Sequence, residues 1–224
     1  MNIKKYSHII WDWNGTLFDD VAWCISVINT MLTKRGIKPL QGVSDYLNAW
    51  DFAHSYSCNT FPVIQYYKYI GFDFDLEPFE DLVAEYISLY HAGKSGNCGL
   101  FSGVEAVLDT ARKSGIKQII LSASETGNLL SQIGEFNITG HFDEVLGLSN
   151  IYAKSKIDIG LDYMARKGIK DAILIGDTKH DHEVANALGI DCVLIPNGHQ
   201  SREMLLSCGV PVLDDIADVI KYMG

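Results

Sequence analysis

Short apolar runs recur along the chain and end in turn residues or in a carboxylate: Ile9–Trp11, Ile116–Leu121, Ala172–Ile175 and Cys192–Ile195. Runs of this length bounded by turn signals read as buried strands. The stretches between them carry apolar residues at helical spacing. Val21, Ile25, Ile28 and Leu32 mark a helix over Val21–Lys34, with Gly36 as its stop. Further helices are predicted at Val104–Ser114, Asn128–Phe136, His182–Leu188 and Ser201–Ser207. Ser155-Lys156-Ile157-Asp158 has capping-box spacing, with Asp for Glu or Gln, and opens a helix that runs to Lys167. A short strand is expected at Glu144–Leu146, and a last edge strand at Val210–Leu213 before a terminal helix. From about residue 100 strand and helix alternate regularly. That is the pattern of an α/β fold, a doubly wound parallel sheet covered on both faces.

Residues 43–91 break this pattern. Aromatics are dense there (Tyr46, Trp50, Phe52, Tyr66, Tyr67, Tyr90 among them) and helical spacing replaces alternation. The zone reads as three or four helices inserted after the first strand and helix, with the aromatics as their own core. Gly93–Gly103 returns the chain to the sheet; it lacks the Lys-Ser/Thr of a phosphate-binding P-loop.

Composition narrows the function classes. The 224 residues are 47% hydrophobic, enough for a large core, and the net charge of −10 argues against a nucleic-acid partner. Five scattered cysteines without metal-ligand spacing read as reduced thiols of a cytoplasmic protein. The first apolar run is too short for a signal peptide and is interrupted by Asp12; no stretch has transmembrane length, so no membrane partner is expected. The chain is expected to be a monomer or homodimer.

The chemistry gathers at strand ends. Asp12, Ser122 and Asp177 each follow or close a predicted strand, and parallel strands bring such positions to one edge of a sheet. Asn14-Gly15 forces a turn directly after Asp12. A hairpin is the other local reading of this turn, but residues 21–34 look helical and not like a returning strand. Asp181 lies four residues past Asp177. Carboxylates crowded in this way repel, and a hard cation such as Mg²⁺ relieves the repulsion. A cation, a helix N-terminus that favours anions, and a free aspartate together point to phosphoryl transfer through an aspartyl-phosphate.

Four segments in this order, Asp12-Trp13-Asn14-Gly15-Thr16-Leu17, Ser122 after an apolar strand, a lysine opening a helix, and Gly176-Asp177-Thr178-Lys179-His180-Asp181, resemble the motifs of the haloacid dehalogenase superfamily. Glu183–Gly189 and the helical insertion resemble its phosphoglycolate phosphatase-like branch. The resemblance implies a Rossmann-like core of residues 1–19 and 97–224, a helical cap of residues 20–96, and hydrolysis of a small phosphorylated substrate. It casts Asp12 as nucleophile. It implies Mg²⁺ on Asp12, Asp177 and the Asn14 backbone carbonyl, with Asp181 close by. Ser122 and backbone amides around Trp13, Gly15, Thr16 and Ala123 would hold the phosphoryl oxygens. Lys154 or Lys156 would neutralise the phosphate and Asp12; Lys156 is favoured because a first helical residue is held by the cap.

One position departs from that pattern. The family's phosphatases carry Asp where this chain has Asn14, and a carboxamide transfers no proton in this range. Three readings follow: a substrate whose leaving group needs no proton, a slow phosphatase with another acid, or a phosphate-ligand binding protein without turnover. A phosphonate-cleaving relative lacks the same Asp and uses a cap lysine; Lys34, Lys38 and Lys68 are the cap-side candidates here. Among histidines, His180 and His182 flank Asp181 and rank first as substitute acids, His199 sits in another loop near the same edge, and His54 and His91 carry no assignment.

Overall fold

The structure, a computed structural model, describes residues 1–56, 62–93, 96–149 and 156–223. Its sheet is built from β1 (His8–Trp11), β4 (Lys117–Glu125), β5 (Glu144–Leu148), β6 (Ala172–Gly176) and β7 (Asp191–Leu194), in the order β5-β4-β1-β6-β7. All pairings are parallel. Two residues each form β2 (Phe18–Asp19) and β3 (Gly99–Leu100), which pair antiparallel beside the sheet.

Alternate residues of each strand serve opposite faces, so strands buried on both sides read as unbroken apolar runs. Ile9, Trp11, Ile120, Ile173, Ile175 and Val193 enter one core with α5 (Val104–Lys113) and α6 (Thr126–Glu135). Ile10, Ile119, Leu121, Leu174, Cys192 and Leu194 enter the other, against α7 (Lys156–Lys167), α8 (Lys179–Leu188) and α9 (Arg202–Leu206). Buried polar contacts run through the first of these cores: Trp11 Nε1 donates to Gln118 Oε1 of the neighbouring strand at 3.1 Å, and Trp13 Nε1 to Gln132 Oε1 of α6 at 3.0 Å.

Between β2 and β3 the chain forms α1 (Val21–Lys34), α2 (Val43–Tyr56), α3 (Pro62–Tyr69) and α4 (Phe79–Gly93), packed around a core of their own. Val27, Ile28, Met31, Tyr46, Tyr66, Tyr67, Phe72, Leu82 and Tyr90 are buried in it. Most of the aromatic zone is thus core. Arg35 locks α1 to α4 from outside, with NH2 at 2.5 Å from both Glu77 and Glu85.

Three expectations are corrected. β4 does not stop before Ser122 but runs to Glu125, with its pairing to β5 shifted between Leu121 and Glu125. Val210–Leu213 forms only a single bridge, Leu194 to Val212, because the short α9 brings the chain back for one residue pair. The terminal helix, Ile216–Tyr222, is a 3₁₀-helix. Ser155, the expected cap of α7, and Lys154 lie outside the described residues.

Candidate active site

β1 lies between β4 and β6; the chain lays β4 and β5 on one side of it and then β6 and β7 on the other, and ligand crevices form at such a switch point. Trp11 is level with Ile120 and Ile175, so Asp12, Ser122 and Asp177 come together at the carboxyl ends of adjacent strands. Asp12 N donates to Ile175 O at 2.9 Å, which extends the ladder up to the aspartate.

Carboxylate oxygens of Asp12, Asp177 and Asp181 lie within 4.8 Å of one another. Asp177 and Asp181 are fully buried and Asp12 is nearly so. Lys156, the first residue of α7, is the buried cation among them: its Nζ stands 2.8 Å from Asp12 Oδ1 and 2.5 Å from Asp181 Oδ1. Burial, then the neighbouring Asp181, push the Asp12 carboxyl up to about 6 against the pull of Lys156. Burial pushes Asp177 further, to about 8, with Asp12 and Asp181 adding to it. Burial also opposes charge on Asp181, but Lys156 and Thr178 overcome it and hold that carboxyl below the usual range. Among the described residues, Lys156 and, at Asp177, His199 are positive groups that act on these three carboxylates.

Local structure explains each placement. Asp181 is the third residue of α8 and closes a capping box with Thr178: its Oδ2 accepts from Thr178 N at 2.9 Å and from Thr178 Oγ1 at 2.6 Å. Asp177 is held by Thr16 Oγ1 (3.0 Å) and by the backbone N–H of His199 (2.7 Å). The loops approach so closely that a Cβ on Gly198 would stand 2.0 Å from Asp177 Oδ2, and one on Gly15 2.3 Å from it. Gly15 also needs its φ of +75°.

The amide expectations change here. Gly15 N donates to Phe18 O at 2.8 Å and Thr16 N to Trp13 O at 3.3 Å, so both amides are spent closing the turn, and the Thr16 hydroxyl serves Asp177. The Trp13 amide instead faces the Asp12 carboxylate. Ser122 is buried with its Oγ accepting from Ser124 N at 3.1 Å, while Ala123 is exposed.

Asn14 is bound on every side. Its Nδ2 donates to Asp20 Oδ2 (2.8 Å) and to the Tyr90 hydroxyl (3.2 Å), and its Oδ1 accepts from Ser124 Oγ (2.8 Å). Tyr90 OH also donates to Asp20 Oδ2 at 2.7 Å. Asp20 Oδ1 faces His199 Nε2 at 3.2 Å, and His199 Nδ1 meets the Tyr46 hydroxyl at 2.9 Å. Burial alone would lower the His199 imidazole; Asp20, with Asp177 and Asp12 beyond it, raises it to about 9.

The sequence assigns no site role to Asp20, Tyr46, Tyr90 or Ser124, and of the histidines near this edge it is His199, not the pair flanking Asp181, that contacts Asp20 and Tyr46. His180 and His182 bond within α8, to Glu183 and Asn186, whereas His199 enters the site. Asp20 left a signal: it stands at the N-cap of α1, where Asp normally caps, yet its side chain makes no cap bond and turns to Asn14. Of the cap-side lysines, Lys34 pairs with Glu85 at 2.8 Å, Lys68 lies over the Phe74 ring, and Lys38 is exposed.

A family model for haloacid dehalogenase-like hydrolases matches residues 9–195. A phosphoglycolate phosphatase of Pseudomonas syringae pv. syringae is 23% identical over 220 residues, covering 95% of this chain and 78% of that protein. Among solved structures, a haloacid dehalogenase-like family protein of Streptococcus pneumoniae superposes with a TM-score of 0.78 at 21% identity, over 98% of this chain and 99% of that one. Protein tyrosine kinase A of Mycobacterium tuberculosis has the same TM-score and identity, covering 98% of each chain. At these identities the likeness to solved structures shows the fold.

Proposed function

Because the chain belongs to the haloacid dehalogenase-like hydrolase family, we propose that it is a Mg²⁺-dependent phosphatase that cleaves a small phosphorylated metabolite through an aspartyl-phosphate on Asp12. The observation that carries this reading is the buried triad Asp12, Asp177 and Asp181, with Lys156 bonded to the first and last. Three carboxylates and one lysine suit a hard divalent cation with oxygen ligands. Asp12, Asp177 and the Asn14 carbonyl would hold Mg²⁺, with Asp181 beside it, and the ion would neutralise charge on the phosphoryl oxygens. The similarity to a phosphoglycolate phosphatase supports the same substrate class.

This chain's own residues supply the rest. Lys156 fixes Asp12 Oδ1, leaving the other carboxylate oxygen to attack phosphorus while the bond to the leaving oxygen breaks. In this reading Ser122 and the Trp13 and Ala123 amides bind the phosphoryl oxygens, the Trp13 amide turning to them from the Asp12 carboxylate that it faces in the free chain. Water then cleaves the acyl phosphate and restores Asp12. Residues 20–96 act as a cap over the core of residues 1–19 and 97–224, with Tyr46 and Tyr90 reaching its edge. No described helix is long and apolar enough to cross a membrane.

The committed carboxamide of Asn14 favours one sub-class. Its donors are taken by Asp20 and Tyr90, and it carries no transferable proton. The preferred leaving groups are therefore those stable as anions: anhydrides, acyl phosphates and aryl esters. Of the lysines that a cap-lysine phosphonate mechanism would draw on, Lys34 and Lys68 are engaged elsewhere and Lys38 is exposed.

Phosphate release from a panel of esters and anhydrides tests the reading. Turnover is expected with Mg²⁺, and none with EDTA or in Asp12→Asn. Asp177→Asn should keep the fold and weaken Mg²⁺ binding in calorimetry; unchanged affinity in that variant would remove Asp177 from the site.

A further inference from the structure

A second donor cluster stands beside the carboxylate triad. One ligand atom each from Asp20, Cys24 and His199 lies within 4.8 Å of the others. Asp20 and Cys24 are four residues apart, so the first turn of α1 sets them on one face, with Cys24 Sγ 3.6 Å from Asp20 Oδ2. His199 comes from the loop after β7.

The two oxygens of Asp20 differ. Oδ2 accepts from Asn14, Tyr90 and Cys24. Oδ1 is buried and accepts no hydrogen bond of ordinary geometry, although His199 Nε2 stands 3.2 Å away. Asp20 itself is only 2% exposed. Tyr46 engages His199 Nδ1, which fixes the ring and directs Nε2 toward Asp20. A second partner on the far ring nitrogen is how proteins orient a metal-ligating histidine. Oxygen and nitrogen ligands of a tetrahedral zinc ion, each about 2.0–2.1 Å from it, stand about 3.3 Å apart. The Asp20–His199 spacing already has that value.

We propose that Asp20, Cys24 and His199 form a binding site for a borderline transition-metal ion of the zinc class, separate from the Mg²⁺ triad. A thiolate and an imidazole select such an ion over Mg²⁺, which takes oxygen ligands. Three protein ligands leave a fourth position open to water or substrate. Binding releases the thiol proton of Cys24, which the metal-free chain aims at Asp20 Oδ2, and any proton on His199 Nε2. Its use in catalysis rests on the phosphatase reading: beside Asn14, a metal-bound water is a proton source for the leaving oxygen that the carboxamide is not.

The test is metal retention, which needs no turnover. The full chain is dialysed against zinc in excess Mg²⁺ and its metal content measured; the cobalt form is examined for thiolate-to-metal absorption. The expected result is one zinc per chain and a cobalt–thiolate band. The band should vanish in Cys24→Ser and zinc should be lost in His199→Gln, both checked for folding by circular dichroism, while Asp177→Asn retains zinc. No retained zinc, or wild-type cobalt protein without the band, overturns the site without needing any variant. A band that persists in Cys24→Ser, or zinc retained equally in His199→Gln, also overturns it. Phosphate release without zinc retention sinks this site alone; zinc retention without phosphate release sinks only the phosphatase reading.

Discussion

At the scale of single residues, Asn14 and Asp20 are one unit. Asn14→Asp alone would set a second carboxylate where Nδ2 now donates to Asp20 at 2.8 Å. Two carboxylates at that range cannot both ionise, and the shared proton would not be free for a leaving group. The single variant should therefore gain little on alkyl phosphates. Asn14→Asp with Asp20→Asn exchanges donor and acceptor and frees an acid. Hydrolysis of alkyl esters relative to aryl esters should rise about 10²-fold in the double variant, the lower end for a positioned acid. Steady-state rates on a paired alkyl and aryl substrate decide it; equal gains in the single and double variants would mean that Asp20 does not govern Asn14.

Among the elements, α8 does two things with one carboxylate. Asp181 caps its own helix through Thr178 and carries Lys156 to Asp12. Thr178→Ala removes the hydroxyl that donates to Asp181 Oδ2 at 2.6 Å. Loss of such a cap costs about 1 kcal/mol, which urea unfolding measures. The same variant should bind Mg²⁺ more weakly, because Asp181 loses its tether. A destabilised variant with unaltered Mg²⁺ affinity would confine Thr178 to the helix.

Over the whole molecule, the site makes stability depend on pH and on the cation together. In the metal-free chain Asp12 and Asp177 titrate at about 6 and about 8, both above the ordinary carboxylate value. Raised carboxyls contribute stability below about pH 4 that is lost as pH rises through those two values. His199, raised to about 9, contributes stability that is complete below about pH 6.5 and lost as pH rises through about 9, the same direction. Asp20 and Asp181 are lowered and lose their contribution only at acid pH. Melting temperature in EDTA should thus fall from pH 6 to pH 8.5 on the order of several degrees, while Mg²⁺ restores it increasingly toward the alkaline end. Thermal melts across this range check it; a Mg²⁺ gain that is constant with pH would contradict the charge balance derived for the triad.

The sheet and the triad were legible in the sequence because their signals are local. Continuous apolar runs mark strands buried on both faces, and the carboxylates that follow two of them, Asp12 and Asp177, land at the same edge because the strands are parallel. Lys156 was legible as the first residue of a helix. The order of these segments was enough to place α1, which spans Val21–Lys34 as its spacing predicts. β2 and β3 were not legible, since two residues carry no periodicity. Nor was the Asn14–Asp20–Tyr90 network with His199 and Tyr46. Tyr90 reaches Asp20 across 70 residues of chain and Tyr46 reaches His199 across 153. Such contacts depend on how the inserted helices sit against the sheet edge, which no local pattern encodes. Side chains that a local reading assigns to a helix cap or an aromatic core become site residues only when tertiary packing brings an unsatisfied polar atom to meet them.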